Sequence, residues 1–93
     1  MVRRAAEDLE AIAAYIAQDS EAYASSVVRT ILQKCRVLAD FPELGRIVPE
    51  FENDALREIF AYSYRIIYKV ETDRVIIAAI VHGKRLLELA IKP

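Results

Sequence analysis

Residue types that build many functional sites are scarce in this chain of 93 residues. Cys35 is the single cysteine, so an internal disulfide and a multi-cysteine metal site are both excluded, and a reducing compartment is expected. His82 is the single histidine, which excludes a metal site built on several histidines. No apolar run approaches the roughly 18 residues that span a bilayer, and no cationic start leads into a signal-peptide core. We therefore expect a cytoplasmic protein with no metal or other cofactor and no membrane partner.

Phosphate-binding and nucleophilic motifs are also missing. The chain has two glycines and no Gly-rich phosphate loop, and no serine stands in a nucleophile elbow. The formal net charge of -1 argues against general coating of nucleic acid, which needs a basic surface. The charges are uneven, since up to Ala24 there are two Lys/Arg against five Asp/Glu, and from Leu56 onward seven against four. A basic patch on the C-terminal half and an ordinary mixed surface both fit these counts.

Length and apolar content predict one folded domain over residues 1–93, because a chain this short supports a single core. Apolar residues recur at spacings of three and four from Ala5 to about Asp19, and the pattern repeats after Ser20 as far as Leu38. The side chains of Asp19 and Ser20 are both suited to capping the second helix. We predict two antiparallel helices joined by a short turn, with Cys35 as a small core residue.

Period-two patterns follow the helices. The stretch FPELGR ends the helical half because Pro42 lacks an amide donor, and Gly45 permits a positive φ angle there. After a loop, the segments LREIFA, YRIIYKV and RVIIAAIV are rich in β-branched and aromatic residues. The last is apolar on both faces, as an inner strand would be. The predicted fold class is α+β, with a two-helix antiparallel hairpin packed on one face of a small, three-stranded antiparallel β-meander.

Two side chains are candidates for chemistry. Alternation places Arg65 on the face turned away from the helices, where a guanidinium can bind phosphate in a bidentate geometry, although a surface salt bridge to an acid on a neighbouring strand fits the same spacing. His82 could act as a general acid or base, but a histidine at a strand end also serves as a hydrogen-bonded structural residue. Lys84 and Arg85, after Gly83, would present cations to acidic groups of a partner.

The order of these features resembles a known family. The run AAEDLEAIAAYIA, then LADFPELGRIVPE, then YRIIYKVETDRVIIAAIVHGKR is similar to the ParE/RelE toxin superfamily of type II toxin-antitoxin systems over nearly the whole chain. The resemblance implies an opening strand, two helices and an antiparallel meander. Only Met1 to Arg4 precede the first helix here, so the opening edge strand is expected to be missing.

The superfamily divides by target. RelE-like members cleave messenger RNA on the ribosome with two arginines, strand lysines and a C-terminal tyrosine. The resemblance matches the arginines to Arg65 and Arg85, but it puts Leu56 and Glu58 at the lysine positions and Ile91 at the tyrosine position. An anionic Glu58 would repel the scissile phosphate that the missing lysines would stabilise.

A second ribonuclease pattern in the superfamily uses a Glu, an Arg and a His, to which Glu50, Arg65 and His82 correspond. ParE-like members lack the ribonuclease set and are associated with poisoning DNA gyrase, and this chain is more similar to them in DLEAIAAYI, FPELGR and VHGKR. We therefore expect a gyrase inhibitor without enzymatic activity. The alternatives are a ribosome-dependent mRNA endoribonuclease and a non-toxic interaction module.

The resemblance also implies a cognate antitoxin that forms a hetero-oligomer with the toxin. An antitoxin helix or strand would cover apolar surface that a small core cannot hide, so the free toxin is expected to self-associate. The residues expected to contact the antitoxin or the target are Arg57, Arg65, His82, Lys84, Arg85, Ile12, Ile16 and Val28.

Overall fold

The computed structural model describes residues 1–83, and it begins with the predicted helical hairpin. Helix α1 spans Arg3–Ala17 and helix α2 spans Glu21–Asp40. Ser20 is the N-cap of α2, and its hydroxyl accepts a hydrogen bond from the amide of Tyr23 at 3.0 Å. Of the two side chains proposed as caps, the serine therefore performs this role. No helix among the described residues is long and apolar enough to cross a bilayer.

The three predicted strands are present, and they form an antiparallel sheet with a fourth. Strand β1 spans Arg46–Ile47, β2 spans Leu56–Ala61, β3 spans Tyr64–Val70 and β4 spans Val75–His82, in the spatial order β1-β2-β3-β4. The sequence alone predicts a loop where β1 lies. Two residues are too few for a periodic signal, and only the pairing with β2 defines this strand.

Strand β4 lies at the edge of the sheet in the described part of the chain, as the order of the predicted meander implies, although its two apolar faces are typical of an inner strand. Met1 and Val2, the described residues before α1, form no strand. The backbone amide of Val2 instead donates to the carbonyl of Ile77 at 3.1 Å, and the amide of Ile80 donates to the carboxylate of Asp8 at 2.9 Å. The start of the chain and α1 thus satisfy two groups that an edge strand would leave to water.

Both faces of the sheet are covered, which explains the apolar composition of β4. The helices pack on the face that carries Tyr64, Ile66 and Tyr68, as the alternation in β3 predicted. The opposite face carries a smaller core made by Ile67 and strand β4 together with the loop before β2. Its buried members are Val48, Ile67, Ala79 and Val81, with Phe51 and Leu56 packed against them. This face was expected to be open, and the loop closes it.

Gly45 does not use a positive φ angle, contrary to the prediction. A Cβ atom at this position would lie 2.4 Å from the carbonyl oxygen of Glu58 and 2.6 Å from the hydroxyl of Tyr68. Glycine is needed because the backbone approaches its neighbours closely. Among residues 1–83, the positive φ angle, 56°, belongs to Tyr62 in the turn between β2 and β3.

Cys35 packs against the core on the helix side of the sheet, as predicted. The thiol is partly buried, and this burial raises its pKa, which favours the neutral form. A structural role for Cys35 follows from its surroundings.

Candidate functional site

Arg65 lies on the face of the sheet opposite the helices, where its guanidinium is enclosed by two glutamates. Its Nε donates to Oε1 of Glu58 at 2.7 Å, and its Nη2 contacts the same oxygen. Its Nη1 and Nη2 donate to the two carboxylate oxygens of Glu50 at 2.7 and 3.0 Å. Only 5% of Arg65 and 1% of Glu58 is exposed to solvent. All three guanidinium nitrogens of Arg65 therefore point at carboxylates.

A second arginine completes the cluster. Nε of Arg46 donates to Oε2 of Glu58 at 2.6 Å, so this buried carboxylate lies between two guanidinium groups. The Arg46 guanidinium also lies 5.7 Å from the ring centre of Phe60. We call Arg46, Glu50, Glu58 and Arg65 the ionic cluster. Its formal charges cancel, so the two buried members, Glu58 and Arg65, are compensated by each other and by the more exposed Arg46 and Glu50.

Ion pairing within the cluster shifts the pKa values of Glu50 and Arg65. Hydrogen bonds from Arg65 lower the pKa of the Glu50 carboxyl below its ordinary value. The hydrogen bonds to Glu50, and then those to Glu58, raise the pKa of Arg65, so its guanidinium is charged at any pH at which the protein folds. Glu50 therefore keeps its charge to a lower pH than an ordinary glutamate does.

The sequence allowed two roles for Arg65, a surface salt bridge and bidentate binding of phosphate, and the structure shows part of each. A partner acid does lie on a neighbouring strand, Glu58 on β2, but the salt bridge is buried rather than on the surface. Bidentate geometry is also present, and the carboxylate of Glu50 occupies it. A phosphate could reach this guanidinium only by displacing Glu50.

His82 projects to the other side of the sheet. It pairs with Tyr64 across β3 and β4, and the two rings make an edge-to-face contact with centres 5.8 Å apart. Tyr64 packs on the helix side, whereas Arg65, the next residue in the strand, faces away. The structure thus brings Glu50 and Arg65 together and places His82 across the sheet from them. The glutamate, arginine and histidine of the second ribonuclease pattern do not converge.

The remaining predicted contact residues are spread over the molecule. Arg57 is partly buried, and its Nη1 donates to the carbonyl of Gly45 at 2.8 Å. Ile16 is 8% exposed and belongs to the core. Ile12 and Val28 are partly exposed, but they line different cavities. Lys84 and Arg85 lie outside the described residues.

The groove that contains Val28 runs between the outer faces of α1 and α2. It has a volume of about 570 Å³ and a floor of small residues, among them Ala13, Ala17 and Ala24. Small side chains allow another helix to approach closely. We call this groove the alanine groove.

Sequence reasoning missed the roles of Glu58 and Arg46. Glu58 was noted only as an acid at the position of a family lysine. A signal was present, because the pattern of β2 puts Glu58 on the same face as Arg65 of the adjacent strand. Arg46 carried no such signal, since β1 itself was not predicted.

A family model described as "ParE toxin of type II toxin-antitoxin system, parDE" matches residues 2–87. No curated protein matches the chain. Among solved structures, one titled "Chromosomal ParDE TA system from P. aeruginosa" superposes with a TM-score of 0.72 over 89% of this chain and 91% of that chain, at 22% sequence identity. That structure shares the fold. Because the family match covers nearly the whole chain, the protein belongs to the ParE toxin family of type II toxin-antitoxin systems.

Proposed function

We propose that this protein inhibits DNA gyrase and is neutralised by a cognate antitoxin, and that it does not cleave RNA. The proposal depends mainly on the contacts of Arg65. All three of its guanidinium nitrogens donate to Glu50 or Glu58, so none is directed at a possible substrate. An RNA-cleaving site would need this cation turned toward a scissile phosphate. Membership of the ParE family supports a toxin whose target is gyrase.

Electrostatics also weigh against the ribonuclease alternative. Two glutamates beside Arg65 would repel the phosphate backbone, and the loop that carries Glu50 covers the face on which a nucleotide would have to lie. His82 is on the opposite side of the sheet, so it cannot share a substrate atom with Arg65. A cytoplasmic location goes with the proposed target.

The antitoxin is proposed to bind the alanine groove. A helix with its apolar face toward Ala17, Ala24 and Val28 would cover a depression that the toxin leaves open. Acidic residues of the antitoxin would approach the C-terminal cations, Lys84 and Arg85. Antitoxin dimerisation would make the complex of higher order, and the free toxin would associate with itself.

The test is a pair of assays on purified protein. We expect inhibition of gyrase supercoiling, reversal of that inhibition by the cognate antitoxin, and intact ribosome-bound messenger RNA. Codon-specific cleavage that disappears in His82→Ala would establish the ribonuclease alternative. Normal bacterial growth despite accumulation of soluble, full-length protein would indicate a non-toxic interaction module.

A further inference from the structure

Four of the five tyrosines in the chain line one surface of the molecule. Two cavities of about 360 and 320 Å³ share Tyr15, Tyr64 and His82 as lining residues, so they lie side by side on this surface. Tyr23 and Tyr62 line the second of them. We call the two cavities together the tyrosine trough. It lies where the turn between the helices meets the β2–β3 turn and the end of β4.

The rings of the trough are available to a partner. Tyr15 is 70% exposed, and Tyr23 and Tyr62 are each about half exposed. Tyr23 and Tyr62 make an edge-to-face contact with centres 5.8 Å apart, which holds the two side chains against each other. Tyr62 is also the residue with a positive φ angle. The β2–β3 turn thus holds Tyr62 in an unfavourable backbone conformation, and the side chain of Tyr62 lines the trough.

The charged residues around the trough indicate which kind of ligand it can bind. Asp8, on α1, lines one of the two cavities, and Asp19, in the turn that follows α1, lines the other. Asp8 is paired with Arg4 at 3.1 Å, whereas Asp19 is exposed. Within residues 1–83, no lysine or arginine lines either cavity. Electron-rich rings beside carboxylates attract cations and repel phosphates, which disfavours a nucleic acid.

We propose that the tyrosine trough binds an arginine-bearing segment of a partner protein. A guanidinium stacks on tyrosine faces and donates to hydroxyls and carboxylates at the same time, whereas a lysine ammonium makes a weaker point contact with such a surface. The trough is separate from the alanine groove, so a ligand there would not compete with a helix bound between α1 and α2. The inference concerns this surface alone and does not depend on gyrase being the target.

The test is titration of the full-length protein with capped peptides of equal length in which glycine alternates with arginine, lysine or glutamate. The chain has no tryptophan, so a change in tyrosine fluorescence on binding reports mainly on the trough, because the fifth tyrosine, Tyr68, is buried and cannot touch the peptide. We expect saturable binding of the arginine peptide, about fivefold tighter than that of the lysine peptide, and none of the glutamate peptide.

Variants locate the binding by calorimetry. Tyr15→Leu and Tyr23→Leu change exposed side chains, so both proteins should fold, and each should weaken the arginine peptide by about fivefold. The matched control is Phe41→Leu, an aromatic that is 64% exposed at the end of α2, outside the trough. The control should bind like the wild type.

Three results would overturn the inference. The first is equal binding of the arginine and lysine peptides with no effect of the tyrosine substitutions. The second is binding of a single-stranded oligonucleotide that is lost in those same variants. The third is peptide binding that begins only after Lys84→Ala and Arg85→Ala are introduced together, because the chain's own cations would then be the occupants.

Discussion

The carboxylate of Glu58 and the guanidinium of Arg65 form a buried ion pair between adjacent strands, with Oε1 and Nε 2.7 Å apart. Glu58 has no exposed side-chain surface, and its other oxygen accepts from Arg46. A buried pair adds little stability compared with apolar residues of the same size, but losing one member leaves the other charge uncompensated. The pair therefore fixes how the strands and the covering loop meet.

Removal of the central carboxylate should destabilise the fold. We expect Glu58→Ala to lower the free energy of unfolding by about 3 kcal/mol, the lower end of the range for breaking a buried pair, because Glu50 still contacts Arg65. Urea denaturation measures the loss. The control is Glu52→Ala, which changes an exposed glutamate of the covering loop. A loss for Glu58→Ala as small as that for Glu52→Ala would show that the cluster is not integral to the fold.

Low pH should weaken the ion pair between Glu50 of the covering loop and Arg65 of β3. Pairing with Arg65 lowers the pKa of Glu50 in the folded protein, so the resulting stabilisation is present above the ordinary carboxyl pKa and disappears as pH falls through the lowered value. Glu50→Gln should be less stable than the wild type at pH 7, and the difference should shrink below about pH 4. Urea unfolding at a series of pH values measures it. A difference that is constant with pH would contradict the assignment.

The two described glycines should respond differently to an added methyl group. Gly45→Ala places a Cβ 2.4 Å from a backbone oxygen, and we expect a loss of about 2 kcal/mol as the strands shift. In Gly83→Ala the nearest atom is 3.2 Å away, so the loss should be smaller. Thermal unfolding of both variants provides the comparison. Equal losses would argue against close approach as the reason for glycine at position 45.

Asp8 should protect the edge of the sheet. Its carboxylate accepts from the amide of Ile80, and Asp8→Ala removes that acceptor at a cost of about 1 kcal/mol. We expect faster hydrogen exchange at the Ile80 amide and increased self-association, because an unpaired edge amide can pair with a second copy. Glu7→Ala, an exposed neighbour on α1, is the control. Unchanged exchange at Ile80 would refute a role for Asp8 at the edge.

Local patterns were sufficient for most of the fold. The spacing of apolar residues located both helices, and the alternation in β3 correctly separated Arg65 from Tyr64. These predictions succeeded because helix and strand periods are properties of neighbouring residues. The two apolar faces of β4 could not be explained in the same way. They are typical of an inner strand, and only the covering loop accounts for the second face of this edge strand.

The site was harder to predict because the role of Arg65 depends on residues that are distant from it in the sequence. An arginine in the middle of a strand is a candidate catalyst until its neighbours are known. Glu50 comes from a loop and Glu58 from the preceding strand, and both are close to Arg65 only in the folded chain. The tyrosine trough likewise joins both helices, a turn and a strand end. Composition counts the five tyrosines but does not show that four meet on one surface.

We infer that the role of Arg65 is structural, as one half of a buried ion pair that apolar residues can replace, and that it takes no part in chemistry on RNA. The direct test is the double substitution Arg65→Met with Glu58→Leu, which replaces the buried pair with apolar residues of similar size and should preserve folding. Supercoiling by DNA gyrase is then measured with wild-type and substituted protein at equal concentrations. We expect the two proteins to inhibit gyrase equally. A folded double variant that no longer inhibits gyrase would contradict the account.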